Sequence, residues 1–238
     1  MSPFDADLVQ ELVAANHILA DQAVLDGFGH VSVRDSTDAT RFLIARSMAP
    51  ALVTAEDIVQ CDLDGQVHDP LGRRTYVERY IHSAIYSARS DVLAIVHSHS
   101  PAMIPFGVTG ARLRPVCHMS GFLGSQGAPV FEIRDAVGES SDMLIRSQQL
   151  GQALARTLGA AAVALMRGHG SVTVGTSLKQ VVFRAIQAEG NAKLQLQAHQ
   201  LGVVNYLSAD EARLASEAND QHLDRPWALW LRAARTNG

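Results

Sequence analysis

The stretch AAAVALMRGHGSVTVG, residues 160–175, decides the fold. It reads as two apolar strands joined by a glycine-rich turn, because Gly168 and Gly170 bracket a sharp reversal between two runs of strand-forming residues. Working outward, VLAIVHSHS (92–100) is a second strongly apolar strand, and it runs into a loop. GHVSVRD (29–35) and RFLIA (41–45) are short strands flanking a polar turn at Asp35–Thr40. IVQCDLDGQVHD (58–69) folds back on itself at Asp64-Gly65, and APVFEI (128–133) adds a further strand. Helices alternate with these strands. The spacing predicts them over residues 5–26 (stopped by Gly27), 75–88, 142–158 (closed by Gly159) and 178–200. Ser208 caps a shorter helix through Asn219, and the Trp227/Trp230 tail is helical. On the first helix Leu8, Leu12, Ala15 and Leu19 share one face; on the second, Val77, Ile81 and Ile85 recur at a spacing of four. Hairpins with flanking helices predict one α/β domain over residues 1–238, a three-layer α/β/α sandwich with a mainly antiparallel central sheet.

Composition removes several functions. Of 238 residues, 47% are apolar and 18% charged, which describes a globular chain rather than a disordered one. The net charge is −4, and Lys179 and Lys193 are the only lysines, so a nucleic-acid partner is not expected. Cys61 and Cys117 are too few for a disulfide framework. The first residues, MSPFDADLVQ, carry acids in place of a basic leader, and no apolar run approaches a bilayer span; a cytoplasmic location without membrane contact is expected. Neither GxGxxG after the first strand nor GxxxxGK[ST] occurs, so nucleotide binding has no support. The ten histidines stand out.

His97 and His99 lie two residues apart at a strand end, where alternate side chains project to the same side. Two imidazoles there can converge on a metal ion; the pair also suits a turn of hydrogen-bonded histidines. His169, between two glycines after another apolar strand, supplies a third ring. Three histidines leave an open coordination position for substrate. Glu78, on the helix that feeds the His97 strand, is a candidate fourth group, although the same position suits a solvated helix surface. This donor set accepts Zn²⁺ or Mn²⁺, and also Fe²⁺ or Co²⁺.

The order Glu78, His97-Ser98-His99, Arg167-Gly168-His169-Gly170, together with EDIVQCDLDGQV (56–67) and IYSARSDVLAIVHSHS (85–100), resembles the class II aldolase/adducin-head family over about residues 8 to 217. That family includes L-fuculose-1-phosphate aldolase and L-ribulose-5-phosphate 4-epimerase. The resemblance implies that His97, His99 and His169 are metal ligands and that Glu78 ligates or shuttles a proton. It also implies a homotetramer with its site near a subunit boundary. The phosphate-binding turns of the sugar enzymes are replaced here by Gly29-His30-Val31-Ser32 and Arg46-Ser47-Met48-Ala49-Pro50, and their Ser-Ser by Tyr76-Val77. Those changes, with HSHSPA, LRPV and GFLG around His118, and Asn205-Tyr206-Leu207-Ser208, resemble the family's decarboxylase branch. That branch acts on hydroxylated aromatic acids and carboxylated ring-cleavage products.

The resemblance therefore implies a metal-dependent decarboxylase of a small carboxylic acid. Glu78 and His118 are the candidate proton carriers; His30, Ser32, Arg46, Ser47 and Tyr206 are candidate substrate contacts. Arg114 is a further candidate for a substrate carboxylate, whereas Tyr80 and His82 are expected to pack. Two other readings remain: an aldolase or epimerase acting on a small sugar or keto acid, and a structural adducin-like head, whose relatives lose the metal histidines retained here.

Overall fold

The computed structural model describes residues 4–69 and 71–237. Among the described residues, eight strands make one sheet: β1 (His30–Arg34), β2 (Arg41–Ala45), β3 (Ile58–Asp62), β4 (Val67–His68), β5 (Ala94–Ser98), β6 (Val130–Phe131), β7 (Val163–Met166) and β8 (Gly170–Gly175). Their spatial order is β4-β3-β2-β1-β5-β8-β7-β6. Every pairing is antiparallel except β6 with β7. Eight α-helices surround it: α1 (Ala6–Asp21), α2 (Arg79–Ala88), α3 (Ile104–Val108), α4 (Arg134–Val137), α5 (Gln148–Leu158), α6 (Leu178–Leu201), α7 (Ala209–Asp220) and α8 (Asp224–Asn237). Helices α1, α6 and α8 pack together on one face, and α2 and α5 pack together on the other. This is the expected three-layer α/β/α arrangement with a mainly antiparallel sheet. Among the described residues, no helix is long and apolar enough to cross a membrane.

Sheet pleating explains the layers. On β1, Val31 and Val33 turn toward the α1 layer, whereas His30, Ser32 and Arg34 turn toward α2. Burial of Ile81 and Ile85 on α2, each fully enclosed, contributes about 1.5–3 kcal/mol apiece and fixes that helix on the sheet. Val77 is exposed, contrary to expectation, because α2 begins only at Arg79. Before it, Thr75 pairs with Arg46 as an extended bridge and holds the chain out of helix.

Three other boundaries differ from the sequence reading, each because a tertiary contact outweighs local periodicity. Helix α1 stops at Asp21 rather than running to Gly27. Ala23 turns to φ 54°, and the chain doubles back to bury Val24 and Leu25. Helix α5 starts at Gln148, capped by the Ser147 hydroxyl, rather than at Asp142. The residues in between are held out of helix by the site described below. The expected strand over 128–133 contracts to Val130–Phe131; Pro129 offers no N–H, and the segment is the sheet edge.

Candidate active site

One end of the sheet carries every functional candidate that clusters. There β1 begins at His30, β2 runs out into Arg46, β5 runs out into His99, and β8 begins just after His169. His30 pairs directly with His97 across β1 and β5, which puts both rings on the α2 face. Gly168 (φ 65°) makes the β7–β8 reversal. At Gly170 a Cβ would sit 2.1 Å from the Ser98 carbonyl oxygen, so only glycine lets β8 lie against the end of β5.

His97, His99, His169 and Glu78 converge, with one potential ligand atom from each lying within 4.8 Å of all the others. The Nε2 atoms of His97 and His169 each stand 3.2 Å from His99 Nε2. Glu78 Oε2 stands 3.6 Å from His97 Nε2 and 3.5 Å from His169 Nε2. The opposite ring nitrogens show which way the protons go. His97 Nδ1 donates to the Ser171 carbonyl at 3.0 Å and His169 Nδ1 to the Met143 carbonyl at 3.0 Å. His99 Nδ1 donates to the Asp26 carboxylate at 3.2 Å. A carbonyl or carboxylate only accepts, so the proton of each neutral ring is on Nδ1 and each Nε2 presents a lone pair. Three acceptors and a carboxylate thus face one another. One added proton can bridge a single Nε2 pair at a time, and 3.5 Å is long for a charge-assisted hydrogen bond. A cation satisfies all four groups together.

Surrounding groups hold this arrangement. Glu78, the residue just before α2, is buried and accepts the Ile145 amide at 2.8 Å through Oε1. Met143 sits at φ 68°, a strained conformation for a side chain of its size, and thereby turns its carbonyl to His169. These two contacts keep residues 142–146 out of α5. Asp26 is itself fixed by the Phe28 and Gly29 amides at 2.8 and 3.0 Å. Burial pushes the Glu78 carboxyl up, but the facing His169 and His97 imidazoles outweigh it and hold the group well below the usual carboxylate range. Burial depresses His169, yet the Glu78 carboxylate more than offsets this and raises it, so His169 is where an added proton goes in the absence of a cation.

A second cluster adjoins the first. His30 Nδ1 lies 2.7 Å from His82 Nε2, and His82 Nδ1 lies 2.6 Å from Ser32 Oγ. Ser32 Oγ lies 2.8 Å from the Tyr86 hydroxyl. The His30 ring packs 5.0 Å from that of His97 and 4.5 Å from that of Tyr76. Ser32 is thus enclosed one layer behind His30 rather than facing open space, and His82 is hydrogen-bonded at both ring nitrogens as well as packed.

The remaining candidates scatter. Arg46 directly follows β2 next to His30, with Nε on Asp57 at 2.6 Å, and the guanidinium is partly exposed. Ser47 is exposed, its amide donating to the Arg74 carbonyl at 2.8 Å. His118 is exposed, and its carbonyl accepts from Asn219 on α7. Tyr206 stacks under Arg114, 4.1 Å from the guanidinium carbon, and its hydroxyl meets Gln195 and His199. Within one chain, His118, Arg114 and Tyr206 make no contact with the four-residue cluster. Asp26, Met143, Ile145, Ser171 and Tyr86 carry no functional signal in the sequence. Three of these act through backbone groups, which any residue type carries.

The sequence profile of the class II aldolase and adducin N-terminal domain matches residues 10–196. The chain belongs to this family. Among class II aldolase/adducin relatives, the decarboxylase tropJ of Talaromyces stipitatus is 35% identical, over 97% of this chain and 95% of that one. The 3,4-dihydroxyphthalate decarboxylase of Arthrobacter keyseri is 29% identical, over 84% of this chain and 83% of that one. An aldolase II superfamily crystal structure from Pseudomonas syringae superposes with a TM-score of 0.81 at 25% identity, covering 100% of this chain and 96% of that one.

Proposed function

We propose that this class II aldolase/adducin protein is a divalent-metal-dependent decarboxylase. It releases CO2 from a hydroxylated aromatic or heteroaromatic acid, or from a carboxylated ring-cleavage product. The observation that carries the proposal is the convergence of the Nε2 atoms of His97, His99 and His169 and the Glu78 carboxylate on one point. The named activities of tropJ and the dihydroxyphthalate decarboxylase support the reaction class.

His97, His99 and His169 would hold the ion, with Glu78 beside it. Bound there, a divalent cation supplies a Lewis acid for the negative charge that C–C cleavage leaves behind. The chain's own groups do the rest. Glu78 Oε2, kept anionic, accepts the proton of the substrate hydroxyl and returns it to the carbon that has lost CO2; the final proton comes from water. His30, beside His97, would meet a substrate oxygen, and Arg46 would pair with a second carboxylate. His118 and Tyr206 would reach such a site only from a neighbouring subunit of the expected tetramer, whereas Ser47 follows Arg46 at the end of β2 in the same chain. The apolar residues Leu201 and Val203, close to Tyr206 in sequence, are fully exposed and suit such a contact.

The test is CO2 release by metal-analysed protein against dihydroxybenzoates, dihydroxyphthalates, hydroxypyridine dicarboxylates and carboxy-muconic semialdehydes, with fuculose 1-phosphate as control. Chelator-sensitive CO2 release from an acid is the expected result. Cleavage of the sugar phosphate alone would replace this reading with the aldolase one.

A further inference from the structure

The chain His30–His82–Ser32–Tyr86 has a direction, and that direction decides what His30 offers to a substrate. Its members are all essentially enclosed, at 2% exposure or less. The facing ring nitrogens of His30 and His82 are 2.7 Å apart and share a single proton, and a neutral imidazole enclosed in this way carries one ring proton. With the two hydroxyl protons, four protons serve three links and two ends.

Two orientations are possible. In the inward one, His30 Nδ1–H donates to His82, His82 Nδ1–H to Ser32, and Ser32 to Tyr86. The Tyr86 proton must then go to the Leu93 carbonyl, 3.5 Å away, which already accepts the Arg34 amide at 2.8 Å. That is a poor bond for an enclosed donor. In the outward orientation Tyr86 donates to Ser32 at 2.8 Å, Ser32 to His82 Nδ1 at 2.6 Å, and His82 Nε2–H to His30 Nδ1 at 2.7 Å. Every internal proton is then well placed, and the fourth lies on His30 Nε2. That nitrogen makes no hydrogen bond among the described residues, yet it is not one of the fully enclosed side-chain atoms that lack a hydrogen-bond partner. The little surface His30 shows therefore includes Nε2.

We infer that Tyr86, Ser32 and His82 lock His30 in the Nε2–H tautomer, so that it donates a hydrogen bond to an anionic oxygen of the substrate bound beside His97. His82, Ser32 and Tyr86 are positioning residues acting through His30. The substrate half of this inference rests on the decarboxylase reading; the tautomer half does not. The order of protons also explains why a buried chain of this kind stands next to three rings whose Nε2 atoms carry lone pairs. It supplies the donor that those rings lack.

Long-range proton–nitrogen correlation spectra of the metal-loaded protein with ¹⁵N-labelled histidine test it, with His30→Gln assigning the resonances. The expected result is a protonated Nε2 and a bare Nδ1 on His30. Kinetics then separate positioning from packing. His82→Leu, an apolar filler, should lower kcat/KM at least tenfold, whereas His82→Gln, whose amide N–H can still donate to His30 Nδ1, should restore most of it. Packing alone would make the two variants equally active or favour leucine. A protonated His30 Nδ1 overturns the inference whatever the reaction, and so does equal activity of the leucine variant and the native protein. Protonated Nε2 in a protein that decarboxylates nothing would uphold the tautomer and fault the functional reading instead.

Discussion

Two buried histidine clusters lie side by side at one end of the sheet, and they solve opposite problems. In the His30–His82 pair, donors and acceptors alternate along the chain, and only the proton on His30 Nε2 is left to offer outward. In the His97–His99–His169 trio, each Nδ1 is committed to a carbonyl or carboxylate, and the three Nε2 lone pairs confront one another and Glu78. Adjacent clusters built on the same ring type thus differ in whether they call for a cation. The distinction is made by the atoms behind the rings. Counting histidines would not reveal it; following each Nδ1 to its partner does.

Breaking the trio has the largest expected effect. His99→Ala should lower decarboxylation about a thousandfold or more, the loss of several kcal/mol of charge stabilisation, while the circular dichroism spectrum stays that of the native fold. Full activity in that variant would contradict the division between the clusters. Next comes the group behind His99. Asp26→Asn should weaken metal affinity about 10–100-fold, read by competition with a chromophoric chelator, because the carboxylate that orients the ring and raises its basicity is gone.

The His30–His82 pair should instead show itself in stability. Both imidazoles titrate below their ordinary value of 6.5 in the folded protein, His82 at about 3. Below about pH 6.5 the unfolded chain therefore binds protons that the folded chain does not, and stability falls as pH drops from there toward 3. Each such proton contributes a slope of about 1.4 kcal/mol per pH unit. Urea midpoints of His82→Leu measured between pH 7 and 4 should fall less steeply than those of the native protein; an unchanged slope would mean His82 is charged when folded. The smallest effect is expected beyond both clusters. Arg46→Lys keeps the charge but loses the bidentate fork, so KM for a dicarboxylic acid should rise about tenfold or less with kcat nearly unchanged.

The sequence already displayed His97, His99 and His169, because strand ends and flanking glycines announce themselves, and the same strands carried the three-layer sheet. Glu78 was visible as a residue but not as a buried one, since the bridge at Thr75 shifts the start of α2. What stayed hidden were the contacts that settle proton positions. The carbonyls of Met143 and Ser171 have no signature in side-chain type, and periodicity hid Asp26 inside a longer predicted helix. His82 was read as packing because an isolated histidine on a helix face gives no hint of a partner 52 residues away.

Metal content per chain is the most direct test of the contrast between the two clusters. Native protein, His99→Ala and His82→Leu would each be loaded with zinc or manganese, desalted and measured by elemental mass spectrometry. The account predicts about one ion per chain in the native protein and in His82→Leu, and none in His99→Ala. An ion retained by His99→Ala, or one lost from His82→Leu while the fold survives, would contradict it.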